Sequence, residues 1–337
     1  MKKERKLLIL LFIGILLSIS IYQHRKSMHR VERIWELFQW NSGTMQVILY
    51  DTRTEQELDR IANTCYKKIP QLDTIINEHN KNSQAGKLKQ NLQQLGKHSL
   101  SSELKYLLEF AYKMSQDTEG IFDITIAPLI QLWKQAALNN TLPTETQIEQ
   151  CKTRIGYTNF TIHNDCIENK IPLDINLGAY TKGYAVDKIV EFLQSQNIPT
   201  AMVNLGGDLA CYGEKIWTIG IQNPDVTATK PILATIQIKN KAVATSGHYH
   251  RYAMIQGKPY SHIIHPHTGK PIANETLSAT VIANSGIIAD AYATVYTILE
   301  PNQAIQHAQQ RNLQLLLLLK GNKILMTPNF PLHSLSE

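Results

Sequence analysis

With 337 residues, 43% of them hydrophobic and 18% charged, the chain has the composition of a globular protein and the length to bury one large core or two modest ones. Its net charge of +6 is lopsided: residues 1–40 hold eight Lys/Arg against three Glu, which leaves +1 for everything after them. A near-neutral body argues against nucleic-acid binding and puts the basic character beside an apolar N-terminal run.

That run spans residues 7–21, follows Lys2, Lys3, Arg5 and Lys6, and is broken only by Gly14, Ser18 and Ser20. At roughly fifteen residues it lies between a signal-peptide core and a transmembrane helix, and Ser18 and Ser20 make a poor cleavage pattern. Residues 1–22 are therefore read as an uncleaved anchor, with a cleaved signal as the alternative, and either one sends the body across a membrane. The expected location is the cell inner membrane, with the body on the periplasmic side. No cysteine precedes Cys65, which excludes a lipid-modified cysteine. Cys65, Cys151, Cys166 and Cys211 lack CxxC spacing, against structural zinc; a Cys151–Cys166 bridge and buried free thiols both stay open.

Residues 23–40 read as a connector, amphipathic from 31 to 40, and 44–51 as the first strand. Residues 55–76 carry helical periodicity at Leu58, Ile61, Ala62, Cys65, Ile69, Leu72 and Ile76, disturbed at Pro70, and 77–86 read as a polar loop. A second helix is expected over 101–118, capped by Ser101 or Ser102. A glycine turn at 120 then leads an aromatic and a carboxylate into the apolar run 120–133, and 145–154 form another helix. Residues 171–187 start as a strand, pass two glycines and enter a helix reaching 196. Gly178, Lys182 and Gly183 there would offer backbone N–H groups and an ammonium to a phosphate, although the segment is neither GxGxxG nor GxxxxGK[ST]. A strand at 201–209 ends in a Gly-Gly-Asp turn, and strands follow at 217–221, 232–239, 241–245 and 278–283. Helices at 287–299 and 301–311 lead to a closing hairpin, 313–319 with 323–326. Its five-leucine run is too short to span a bilayer. Helices and strands alternate irregularly, with several strands in succession, so the fold class is α+β and not doubly wound.

The chemistry concentrates in residues 260–274, YSHIIHPHTGKPIAN, and 289–294, ADAYAT. Pro266, Gly269 and Pro271 make the first a loop, with three histidines in it. In the second, Asp290 and Thr294 stand four residues apart, on one face of a helix. Two oxygen ligands so placed suit a hard cation such as Mg2+, and the same spacing also suits a solvated or capping pair.

The segments GIFDITIAPLIQLW, NLGAYTKGYAVD, NLGGDL, TSG, YSHIIHPHTGKP and ADAYAT occur in the order seen in the ApbE family of FAD:protein FMN transferases, which the sequence resembles over about residues 40–330. The resemblance implies a single ApbE/T-fold-like domain of mixed sheets and helices over 41–330, behind the N-terminal segment. Family members split FAD at its pyrophosphate and attach FMN through a phosphoester to a Thr or Ser hydroxyl of a target protein, with Mg2+ and release of AMP. An acceptor of this kind would be a membrane redox-complex subunit or an extracytoplasmic flavoprotein. Position by position, the resemblance implies Mg2+ ligation by Asp290, Thr294 and the carbonyl of Ala179. It implies FAD contacts from Ile121, Phe122, Asp123, Asn176, Lys182 and Ile264, and His262 as the acid/base. A FAD pyrophosphatase acting on water and a non-catalytic flavin-binding protein remain as alternatives. Asn176 stands where the family has aspartate, with Asp174 expected to compensate, and His265 replaces the aspartate of HxxDP. Asp123 as a turn cap and Asp187 as a helix anchor stay open beside the functional readings.

Overall fold

The structure, a computed structural model, describes residues 28–37, 43–224, 231–247 and 252–335. In chain order the elements are β1 (His29–Leu37), β2 (Gly43–Asp51), α1 (Glu55–Ile76), α2 (Gln84–Asn91), β3 (Gly96–Ser99), α3 (Ser102–Asp117), α4 (Ala127–Leu138), α5 (Glu145–Lys152), β4 (Phe160–His163), β5 (Cys166–Asn169) and α6 (Thr181–Ser195). They continue with β6 (Thr200–Leu205), β7 (Asp208–Tyr212), β8 (Trp217–Gln222), β9 (Ile232–Ile238), β10 (Lys241–Gly247), β11 (Tyr252–Ile255), β12 (Lys258–Ser261) and β13 (Thr276–Ala283). The chain closes with α7 (Gly286–Ile298), α8 (Pro301–Gln310), β14 (Gln314–Leu319), β15 (Lys323–Met326) and β16 (Leu332–Leu335).

Side-chain alternation along the strands produces the layering. An eight-stranded antiparallel sheet runs β1-β2-β6-β7-β10-β13-β14-β15. On β2, Met45, Val47 and Leu49 enter the core under the helices, while Ile48 enters a second core. The second core lies against the small sheet β16-β9-β8, through Trp217, Ile221, Ala234 and Ile236. The five-leucine run is explained the same way: Leu315, Leu317 and Leu319 face the helix side and Leu316 the other. A central strand apolar on both faces needs no membrane. The α+β reading holds.

Helix α1 forms as expected, with a Thr54/Glu57 capping box and Pro70 accommodated inside it, and Ser101 caps α3. Other expectations are corrected. Residues 29–37, read as connector, are β1, paired along its length with β2 and tied to it by Gln46 Nε2 donating to Glu32 at 2.6 Å. As an edge strand it keeps a charged, half-exposed surface, which hid it. The polar loop 77–86 is shorter, because Ser83 caps α2. Three four-residue strands, β3-β5-β4, form a sheet the sequence did not reveal. Residues 171–177 are irregular, held by Leu173 N–H on the Leu92 carbonyl and Asn176 N–H on that of Ile124, so no strand leads into α6. All four cysteines are free. The N-terminal apolar run lies outside the described residues, among which no helix is long and apolar enough to cross a membrane.

Candidate active site

Two helices, α6 and α7, build the site by touching at their glycines. A Cβ added to Gly183 would lie 2.2 Å from the Gly286 carbonyl oxygen and 2.8 Å from the Asp290 Cβ, and one on Gly286 would lie 2.5 Å from the Gly183 oxygen. Gly183 is therefore a packing residue, and its N–H, which like the others in the first turn of a helix has no carbonyl partner within the helix, donates at 3.0 Å to Asp290. Asp187 anchors the start of α7, accepting from Gly286 and Ile287 N–H at 2.6 and 2.9 Å, and burial pushes its carboxyl up to about 6. Gly183→Ala should separate the helices and lower stability by about 1–3 kcal/mol, the usual cost of overpacking, with loss of activity; an unchanged thermal melt would contradict the close crossing.

This crossing surrounds Asp290 with charge. Asp290 is 4% exposed on a helix buried nearly all round, and burial, with Asp208 alongside, pushes its carboxyl well above the ordinary range against the opposing pull of Lys182 and the Gly183 N–H. Lys182 Nζ lies 2.5 Å from Asp208, itself 2% exposed, whose carboxyl burial raises while Lys182 opposes the rise. One turn along α7, Thr294 Oγ1 meets Ser246 Oγ at 3.2 Å.

Opposite stands the 120–126 turn. Asp123 caps a 3-10 turn over Ile124–Ile126, accepting from Thr125 N–H at 2.8 Å and Tyr157 N–H at 3.0 Å, so it does hold the turn. Asn176 Oδ1 accepts from Gly178 N–H at 3.3 Å. Asp174 does not take over for the aspartate missing at 176: Lys89 lies 2.9 Å and Gln131 2.6 Å from its carboxylate.

The histidine loop follows β12. His262 is exposed at its start, and Ile264 is buried and bridged to Pro271. His265 Nδ1 accepts from His267 N–H at 3.2 Å, the bond an aspartate would make there, and His267 Nε2 bonds the Glu119 carbonyl at 3.0 Å. Only the neutral His265 ring can accept, and burial, then the neighbouring His267, lowers its pKa. Its folded pKa lies below the unfolded one, so its contribution is complete above the unfolded value and is lost as pH falls through the folded one. Amide protection factors over residues 262–271, which remove the intrinsic slowing of exchange with falling pH, should drop between pH 7 and 5, and drop less in His265→Asp; an equal drop in both would refute the turn's dependence on His265.

The ten residues to which the family resemblance assigns metal ligation, FAD contact or acid/base chemistry all line one cavity of about 1020 Å³: Ile121, Phe122, Asp123, Asn176, Ala179, Lys182, His262, Ile264, Asp290 and Thr294. Its other end runs between the two sheets, past Ile48, Met202, Val243, Trp217 and Ile219, giving a pocket polar at the helix crossing and apolar beyond it. Gln46, Asn204, Thr245 and Ser246 also line it and had been assigned no role, although TSG was already conspicuous as a motif. Asp208, at the end of NLGGDL, was read only as part of a turn.

The model of the ApbE family matches residues 42–317. The chain belongs to the ApbE family. Curated relatives of this ApbE chain include the FAD:protein FMN transferase of Vibrio cholerae, 29% identical over 278 residues and covering 80% of each chain. That of Haemophilus influenzae is 26% identical over 286 residues, 82% of this chain and 81% of the relative. Among solved structures, the apo flavinyl transferase ApbE of Pseudomonas stutzeri superposes with a TM-score of 0.77 at 21% identity, covering 89% of this chain and 95% of that one. The ApbE protein of Thermotoga maritima gives 0.77 at 24%, covering 90% and 97%. These structures show the ApbE fold.

Proposed function

We propose that this chain is a FAD:protein FMN transferase that moves FMN from FAD to a Thr or Ser hydroxyl of a target protein and releases AMP. The observation that carries the reading is the convergence, on one half-polar, half-apolar cavity, of every residue the family resemblance picks out. Relatives covering four-fifths of the chain carry that activity in their names.

The donors fit Mg2+. Asp290, Thr294 and the Ala179 carbonyl are all hard oxygen donors, and among the described residues no cluster of three or more His, Cys, Asp or Glu offers a different kind of site. A buried carboxyl whose pKa is pushed so far up is one that a cation would stabilise. Mg2+ held there would offset the pyrophosphate charge and polarise its oxygens. His262, exposed on the cavity's wall, takes the proton from a hydroxyl brought by another protein. That oxygen bonds the FMN phosphorus, the phosphorus–oxygen bond to AMP breaks, and the bridging oxygen leaves with AMP. Lys182 and the Phe122–Asp123 turn hold FAD, and the slot between the sheets receives one of its aromatic ends.

With FAD, Mg2+ and a Thr- or Ser-bearing acceptor, the protein should give a flavin-fluorescent acceptor band together with AMP. AMP with free FMN and no labelled acceptor would point to a pyrophosphatase, and neither product to a flavin-binding protein. Residues 1–22 are proposed to anchor the enzyme to the inner membrane with its catalytic body in the periplasm, facing an extracytoplasmic acceptor. The mature protein should then keep Met1 and fractionate with membranes; a soluble periplasmic product starting near residue 21 would identify a cleaved signal.

A further inference from the structure

The acidic residue of the Gly-Gly-Asp turn is neither the proposed base nor a proposed metal ligand. Asp208 opens β7 beneath the cavity floor, 2% exposed, and the N–H of Thr245 donates to its carboxylate. The same carboxylate lies 2.5 Å from Lys182 Nζ, whose side chain is 27% exposed where it lines the cavity. Lysine is a point charge on a flexible four-carbon stem, so an ammonium that must meet a phosphate at a fixed place needs something to hold it. Three donors on the ammonium let one bond fix its position without exhausting it. Asp208 is itself fixed by β7 and by the Thr245 N–H from neighbouring β10, and thus supplies a rigid tether on the sheet for a side chain arriving from α6.

We infer that Asp208 is the positioning residue that sets the Lys182 ammonium for flavin transfer; this rests on the transferase reading above. Asp208 need not touch FAD, since it lies below the cavity wall and acts through Lys182. Removing its charge releases Lys182 from the sheet, and an ammonium so freed can still attract FAD in the ground state while failing to meet the charge that develops during transfer.

Asp208→Asn keeps the side chain's shape and an acceptor for Thr245, and removes the charge. In the full chain, with AMP release giving kcat and flavin fluorescence quenching giving the FAD Kd, Asp208→Asn should lower kcat by about tenfold or more while Kd moves less than about threefold. Asp208→Glu should recover part of the loss. In a Lys182→Met background, Asp208→Asn should cost less than about threefold more, because the two residues act as one unit. Losses that multiply, an unchanged kcat, or a kcat loss matched by lost FAD binding would each overturn the inference. Should Asp208→Asn fail to fold, Asp208→Glu decides: the longer tether should lower kcat below the wild type with the FAD Kd kept, and an unchanged kcat would overturn the inference. A wild-type protein that releases no AMP under any condition removes the transferase reading itself, an outcome visible before any variant is compared.

Discussion

Asp290→Ala is expected to lower Mg2+-dependent turnover of FAD by about 10³-fold or more while leaving the protein folded. A metal contributes several kcal/mol of charge stabilisation to a phosphoryl transfer, and each 1.36 kcal/mol is tenfold in rate. Asp290 is the one carboxylate in the proposed ligand set, so the loss should be nearly complete. The fold should survive because two effects oppose each other. The Gly183 N–H loses its acceptor at a buried position, costing about 1–3 kcal/mol, and the protein no longer buries a carboxyl that Asp208 and desolvation both disfavour as an anion. Asp290→Asn separates the roles, since it can keep the bond to Gly183 and lacks the charge. It should be nearly as inactive as the alanine variant and melt closer to the wild type. Unchanged turnover at limiting Mg2+ in either variant would remove the metal assignment.

His262→Ala should reduce transfer by about 10²- to 10⁴-fold, the range of a positioned general base, with little change in FAD affinity. The neighbouring histidines supply the controls, and the structure says what each does. His265 closes a turn through its Nδ1, and His267 ties the loop to the Glu119 carbonyl, so alanine at either should loosen the loop and lower the melting temperature. His262 stands exposed at the loop's start and takes part in neither of those two bonds. Turnover should therefore fall much further at 262 than at 265 or 267. Equal losses at all three positions would rule out a unique base in this loop.

What the sequence made legible was whatever local pattern alone decides. Helices α1 and α3 showed their buried stripes and α3 its cap, the long strands their apolar runs, and the closing hairpin its Gly-Asn turn. The candidate site residues were picked out through the order of six motifs, and they line one cavity, yet no periodicity announced that they would lie together. The missing pieces depend on partners distant in the chain. Strand β1 is charged because it is an edge, and only pairing with β2 makes it a strand. Strands β3, β4 and β5 are four residues each and half polar, too short for alternation to register. Gly183 reads as a phosphate-loop glycine until Gly286 is seen against it. Asp208 has the local look of a turn residue, and its meaning comes from a lysine on another element.

The central claim is that the acceptor oxygen, and not water, receives the FMN phosphorus. It is tested most directly by the intact mass of an acceptor protein incubated with the enzyme, FAD and Mg2+, read alongside AMP in the same reaction. The account predicts one FMN unit added to the acceptor, with loss of a water equivalent, for each AMP released. The adduct should disappear when the acceptor's Thr or Ser is replaced by alanine. AMP accumulating with an equal amount of free FMN, and an acceptor of unaltered mass, would contradict it.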